Sequence, residues 1–240
     1  MVKNVVSLSG GKDSTALLLM MLKKNIPVHS AVFFDTGWEF PEMHEHIDKL
    51  ESMIDVPIVR LQPEKSFDYC VCERPVISRI GDKKGSISRI GNGWPSPMRR
   101  WCTREKVRCI QKYLKKIPGS ISCIGFAAEE TKRVKNNKDK IYPLIEWGVS
   151  ESQALAYCLD NGFDWSGLYK HFRRVSCFCC PFQRLSDLRT LRIQFPELWL
   201  KMLDIDSRIP ANVGFKDYNT VHDLEKRFSH EDKQLSLWAA

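Results

Sequence analysis

Ser9-Gly10-Gly11-Lys12-Asp13-Ser14 gathers two glycines, a cation, a carboxylate and two hydroxyls into six residues. It follows the apolar run Val5-Val6-Ser7-Leu8 and precedes a helix-forming run from Thr15 to Leu22, so it reads as strand, tight turn and helix. Such a turn binds phosphate: glycines let successive backbone N–H groups approach the anion, and the positive end of the helix adds to them. Lys12 supplies a mobile cation, Ser9 and Ser14 supply hydroxyl donors, and Asp13 supplies a carboxylate able to hold a Mg²⁺ that bridges phosphates. The spacing is not Gly-x-x-x-x-Gly-Lys-Ser/Thr, so this is not a Walker loop. A second constellation is made of cysteine. Cys177-Phe178-Cys179-Cys180 contains a Cys-x-x-Cys, and Cys102 stands far upstream in Arg100-Trp101-Cys102. Thiols in this pattern suit an iron–sulfur cluster or zinc rather than magnesium or calcium.

The elements that must position these groups alternate. After the first helix, Val28 to Phe34 reads as a strand, Phe40 to Ile54 as a helix, and Ile58 to Leu61 as a third strand. Right-handed βαβ units and an open, mostly parallel twisted sheet with helices on both faces follow, an α/β fold. From Ser66 to Arg100 the pattern breaks into glycine, proline, serine and charge, a long loop of the kind that carries function. Arg104 to Lys116 returns to helix and Ile121 to Phe126 to strand. Glu130 to Lys140 reads as a basic loop near the site, with Lys132, Arg133, Lys135, Lys138 and Lys140. Ser150 starts a helix that runs to Asp160 behind a capping box. From Tyr169 onward the chain is polar and helical. The reading therefore places an α/β nucleotide domain at 1–168 and a small helical, cysteine-bearing lid at 169–240.

At 240 residues the chain is long enough for one α/β domain and an appendage. Its formal charge of +8 favours an anionic partner beyond a single nucleotide, tRNA or DNA among them. No stretch approaches the length of a membrane span, and a strand pattern begins almost at Met1, so the expected location is cytoplasmic. In that compartment nine cysteines point to metal or redox chemistry rather than structural disulfides. The six histidines show no metal spacing; His44 and His46, two apart on a helix, do not face one ion. Trp38, Trp94, Trp101 and Trp147 are read chiefly as core rather than as base-stacking platforms.

The loop from Ser9 to Ser14 resembles the pyrophosphate loop of the N-type ATP pyrophosphatases, which cleave ATP between its α and β phosphates. Phe34-Asp35-Thr36-Gly37-Trp38-Glu39-Phe40-Pro41-Glu42 resembles the Asp-Thr-Gly-x-x-Phe-Pro-Glu signature of the phosphoadenylyl sulfate (PAPS) reductase superfamily. Tyr142-Pro143-Leu144-Ile145-Glu146-Trp147 and Gly167-Leu168-Tyr169 are similar to further segments of that superfamily. The resemblance implies a nucleotide held by Ser9, Gly10, Gly11, Lys12, Asp13, Ser14, Asp35, Thr36 and Gly37, with Lys12 and Asp13 catalytic. Gly125 to Arg133 is similar to the family's Gly-x-Arg-x-x-Glu-Ser segment and the Arg beyond it. Ala127 replaces the first Arg, which removes a bidentate anion contact and leaves Arg133 or Lys132 to substitute. The cysteines resemble those of the iron–sulfur adenylyl sulfate reductases, with Trp101 in place of one ligand. That implies a [4Fe-4S] cluster on Cys102, Cys177 and Cys180, with zinc as the alternative. The fourth ligand is Cys179, Cys70 or Cys72, or one iron stays open for sulfur.

The same resemblance implies an ATP-dependent adenylating sulfurtransferase that releases AMP and pyrophosphate, uses Mg²⁺ and a sulfur donor, and acts on a nucleic acid or nucleotide. A sulfonucleotide reductase is the alternative, although the Glu-Cys-Gly-x-His segment of the thioredoxin-dependent reductases has no counterpart after Cys180. A nucleotide- or cluster-sensing binding protein is a third. The sequence leaves the oligomeric state open.

Overall fold

A computed structural model of the chain describes residues 2–134, 137–210 and 214–238. Lys135 of the basic segment lies outside the described residues. The first elements are β1 (Lys3–Leu8), α1 (Lys12–Lys23), β2 (Ser30–Phe34), α2 (Pro41–Met53), β3 (Ile58–Leu61), α3 (Phe67–Cys72), β4 (Pro75–Ile77) and β5 (Ile87–Ile90). They are followed by α4 (Trp101–Leu114), β6 (Ser120–Ile124), β7 (Lys140–Ile141), α5 (Pro143–Glu146), α6 (Glu151–Asp160) and α7 (Leu168–His171). Three helices close the chain: α8 (Leu185–Gln194), α9 (Pro196–Arg208) and α10 (Val221–Trp238).

Five strands form one sheet in the order β3-β2-β1-β6-β7, with every neighbouring pair parallel. The fold is α/β, a parallel sheet with helices around it. All five residues of β2 are buried, as a central parallel strand covered on both faces requires. Val5, Val6 and Leu8 of β1 and Ala16, Leu17, Leu18 and Met21 of α1 join it in the core. The sheet differs from the sequence reading at two places. The first helix starts at Lys12, so the second half of the phosphate loop is itself the first helical turn. The supposed basic loop ends in a strand, β7, too short to show periodicity.

The chain divides into two compact units, Met1–Pro63 with Glu105–Cys177, and Glu64–Arg104 with Phe178–Ala240. The first holds the parallel sheet. The second brings the stretch that reads as a long loop together with the C-terminal helices, a division discontinuous in sequence where the periodicity suggests a single boundary after residue 168. The cause lies in aromatic packing within that unit. The Trp94 indole donates to Asp206 Oδ1 at 2.7 Å and meets the Phe215 ring edge-on at 5.0 Å. Trp101 packs against Phe67 and donates to the Gly93 carbonyl at 2.9 Å. Trp38, Trp94 and Trp101 are buried, as the core reading of the tryptophans expects, whereas Trp147 is only half-buried, with Lys24 over its ring. Among the described residues no helix is long and apolar enough to cross a membrane.

Candidate functional site

The chain leaves β1 toward β2 on one side, while β6 and β7 lie on the other, which makes the carboxyl ends of β1 and β6 the switch point of the sheet. Open α/β sheets hold ligands there. The loop from Ser9 to Gly11 emerges at this point from β1, and Gly125 emerges beside it from β6. Two glycines set the geometry. Gly10 has φ +80°, and a Cβ on it would lie 2.2 Å from Met43 Sδ. A Cβ on Gly125 would lie 2.8 Å from the Asp13 carbonyl oxygen, so only a bare backbone lets the end of β6 approach α1 this closely.

Within the loop, Ser14 Oγ accepts the Ser9 backbone N–H at 3.1 Å, lies 3.0 Å from Ser9 Oγ and donates to the Gly11 carbonyl at 3.0 Å. Lys12, almost fully buried, places Nζ 3.3 Å from Asp13 Oδ2 and 3.1 Å from Glu151 Oε2. Burial raises the Asp13 carboxyl above its usual range although Lys12 pulls it down. Its Oδ1 is buried with no hydrogen-bond partner among the described residues. Burial also raises Glu151, but the hydrogen bond and charge of Lys12, with Arg173 and Arg174, outweigh it and hold that carboxylate below its usual range.

Residues distant in sequence support the loop. The Lys12 backbone N–H donates to the Tyr169 hydroxyl at 2.7 Å, and the Trp165 indole donates to the Gly10 carbonyl at 2.7 Å. Cys158 Sγ donates to the Lys12 carbonyl at 3.4 Å, and burial pushes that thiol up to about 12. Thr15 Oγ1 lies 2.9 Å from His46 Nε2, and the His46 ring stacks on Trp165 at 4.4 Å. The sequence reading named Tyr169 only as part of a motif and missed Glu151, Trp165, Cys158 and His46. Their partners lie 31 to 157 residues away, and no local pattern marks them.

The segment after β2 lies in the same unit. Asp35 Oδ1 accepts the Gly37 N–H at 2.8 Å, and Asp35 Oδ2 accepts from Gln62 Nε2 at 3.1 Å. Glu39 accepts the Thr36 N–H at 2.9 Å and the Thr36 hydroxyl at 2.8 Å, and burial raises its carboxyl despite these bonds. Cys177 pairs its backbone with Glu39 in an antiparallel bridge. Its Sγ lies 3.7 Å from Thr36 Oγ1 and 3.8 Å from Glu39 Oε1. Donor atoms of Asp35, Glu39 and His44 lie within 4.8 Å of one another, a set able to hold a divalent metal. Comparing His44 only with His46 hid this grouping, because the partners of His44 come from the strand exit and not from its own helix.

The remaining expected residues fall as follows. Arg133 is paired with Glu130 and covers the Phe126 ring at 4.1 Å, and Ala127 is fully buried. Cys177 closes the first unit, whereas Cys102, Cys179 and Cys180 belong to the second, as do Cys70 and Cys72. Among the described residues no disulfide links any of the nine cysteines. Cys70, Cys72 and Cys179 are buried; Cys102, Cys177 and Cys180 are partly exposed.

A parallel α/β sheet with a glycine loop and helix N-terminus at its switch point is the arrangement in which open α/β sheets receive anionic ligands. The model of the phosphoadenosine phosphosulfate reductase domain matches residues 3–183, and the chain belongs to that family. Two uncharacterized proteins of Methanocaldococcus jannaschii are 28% and 26% identical over 215 residues, spanning 82% and 84% of this chain. The chain covers only 40% and 47% of their lengths. An uncharacterized 37.8 kDa protein of Escherichia phage 186 is 24% identical, over 93% of this chain and 82% of its own. Among solved structures, the phosphoadenylyl-sulfate reductase of Candida auris superposes with TM-score 0.49 at 19% identity, over 71% of this chain and 78% of that one. The U34-tRNA thiolase of Methanococcus maripaludis with its [4Fe-4S] cluster gives 0.44 at 16% identity, over 95% and 72%.

Proposed function

We propose that this chain is an adenylating enzyme that splits ATP into AMP and pyrophosphate and passes sulfur to the activated acceptor, a nucleic acid or nucleotide. The observation that carries this reading is the presence in one unit of a phosphate loop at the switch point and a thiol, Cys177, against the Asp35–Glu39 segment at the same sheet edge. Phosphates of ATP would displace Glu151 from Lys12, whose ammonium then faces the departing pyrophosphate. The backbone N–H groups of the α1 first turn and the Ser9 hydroxyl orient the phosphates. The acceptor oxygen attacks the α phosphorus, the bond to the β-phosphate oxygen breaks, and pyrophosphate leaves. A sulfide-level sulfur then attacks the carbon bearing the adenylated oxygen; AMP departs with that oxygen and a proton is released, with no net redox change.

Two further groups belong to this reading. The orphaned, buried Oδ1 of Asp13 fits a Mg²⁺ ligand. A [4Fe-4S] cluster or zinc, expected on Cys102, Cys177 and Cys180, would draw on thiol chemistry and hold the sulfur when bound, but among the described residues the donor atoms that converge are those of Asp35, Glu39 and His44, with no thiol among them. The family match itself favours a second reading, a sulfonucleotide reductase in which the nucleotide is substrate.

Product analysis with α-labelled ATP decides between them. Labelled AMP that accumulates only when acceptor and sulfide are supplied, with pyrophosphate released once acceptor is present, supports the proposal. ADP as the main product overturns it, and turnover of adenylyl sulfate without ATP favours the reductase.

A further inference from the structure

Strands β4 and β5 form a two-stranded antiparallel ribbon, pairing Pro75 with Ile90, Val76 with Arg89 and, past a bulge, Ile77 with Ile87. The ribbon is a sheet by itself. Its tip is ordered: the Gly85 N–H donates to the Ser78 carbonyl and the Ser78 N–H to the Ser86 carbonyl, both at 2.9 Å, and the Lys84 N–H reaches the Gly81 carbonyl at 3.0 Å. Residues 75–100 contain six arginines and lysines against one aspartate, a formal +5 of the chain's +8.

These cations differ from the paired arginines elsewhere in the chain. Arg60, Arg133, Arg189, Arg192 and Arg227 each hold a carboxylate. Arg79, Lys83, Lys84, Arg89, Arg99 and Arg100 have no carboxylate within 4.0 Å among the described residues. Between them stand exposed apolar side chains, Ile77, Ile87 and, at the tip, Ile80, which is 86% exposed. Like charges held together without counter-charges repel, and that cost is offset when a polyanion binds and its counterions are released. A stiff two-stranded ribbon fits a nucleic-acid groove, where cations meet phosphates and an apolar tip meets bases.

We propose that the β4–β5 ribbon is the arm by which this protein grips its nucleic acid, with Arg79, Lys83, Lys84 and Arg89 on phosphates and Ile80 against bases. The inference rests on the reading that the acceptor is a nucleic acid. It places the contact on the ribbon and not on the basic segment from Lys132 to Lys140.

The test is fluorescence anisotropy of the full chain with tRNA and with a short DNA duplex over a salt series, beside a variant carrying Arg79→Gln, Lys83→Gln and Lys84→Gln. On the duplex, the triple variant should have a log–log salt slope shallower by about 2.7, at about 0.9 per lost phosphate contact. Ile80→Ser should weaken binding several-fold at every salt concentration with the slope unchanged. Lys132→Gln with Lys138→Gln and Lys140→Gln should leave the slope as it is. If the triple variant melts early, the exposed single changes Lys83→Gln and Lys84→Gln carry the same test at about 0.9 each. Wild-type protein that binds neither probe at low salt removes the acceptor reading and this inference with it. Wild-type binding whose slope the ribbon variant does not change overturns the ribbon alone. So does a ribbon variant that loses sedimentation with phosphatidylserine vesicles while keeping nucleic acid, since the arm would then face lipid.

Discussion

Lys12 Nζ lies 3.1 Å from Glu151 Oε2, so the cation of the phosphate loop is already held by an anion at the start of α6. Nucleotide phosphates must compete with that carboxylate. Glu151→Gln removes the competitor and leaves the α6 cap, which Ser150 and Gln153 build. The variant should therefore bind ATP more tightly by between about 1.5- and 5-fold, the worth of a partly exposed pair. Lys12→Ala should instead lower turnover by about 10²–10³-fold, the usual loss when a donor aimed at developing charge is removed. ATP titrations and initial rates check both; looser binding in the glutamine variant refutes the competition.

The Tyr169 hydroxyl accepts the first amide of α1, a group that a phosphate would otherwise take. In Tyr169→Phe that buried N–H has lost its acceptor, at a cost of roughly 1–3 kcal/mol to the unliganded protein. Bound phosphate restores the partner, so ATP should raise the melting temperature of the variant more than that of the wild type. Equal ATP-induced shifts would show that the phosphate does not reach this amide.

The phosphate loop was legible because its chemistry and its conformation lie in the same six residues. Gly10 sits in the turn where the local pattern puts it, whereas Lys12 and Asp13 fall in the first turn of α1 and Lys12 is buried rather than mobile. Tyr169, Glu151 and Trp165 were not legible as site residues, since each acts through a single contact more than a hundred residues away in sequence. The β4–β5 ribbon escaped for a different reason. Five of its seven strand residues are exposed, so no alternation of buried and exposed positions marks it as sheet. His44 shows a third limit: spacing rules compare residues on one helix, and its carboxylate neighbours stand on a different segment.

His46 gives a pH signature. Burial holds its imidazole neutral and lowers its pKa from 6.5 to about 4, with Lys49 adding to the shift. Between those values the unfolded chain takes up a proton that the folded chain refuses, so folding stability falls as pH drops from about 6.5 to about 4 and this contribution levels off below. The full effect is on the order of 3 kcal/mol. Asp13 and Glu39, whose carboxyls are raised, act in the opposite direction, but equally in wild type and variant. Chemical denaturation of His46→Gln across this range should show a shallower loss than wild type. Parallel curves would mean that the imidazole is free to protonate in the fold.

The cysteines separate into two groups by environment. Cys123 and Cys158 are fully buried, and burial pushes both thiols up to about 12, so they should remain protonated and react slowly with iodoacetamide in the folded protein. Cys102, Cys177 and Cys180 are partly exposed, and Cys177 stands against Thr36 and Glu39 at the sheet edge. If these three hold the metal centre, serine at any one of them should remove most of the bound iron and sulfide, or zinc, from protein purified without oxygen, because a hydroxyl is a poor ligand for a soft metal. Serine at Cys123 or Cys158 should leave the metal content unchanged. Metal analysis and the visible spectrum of the five variants provide the check. Full metal content in Cys177→Ser would detach the centre from the Asp35–Glu39 segment, and with it the observation on which sulfur transfer at this edge depends.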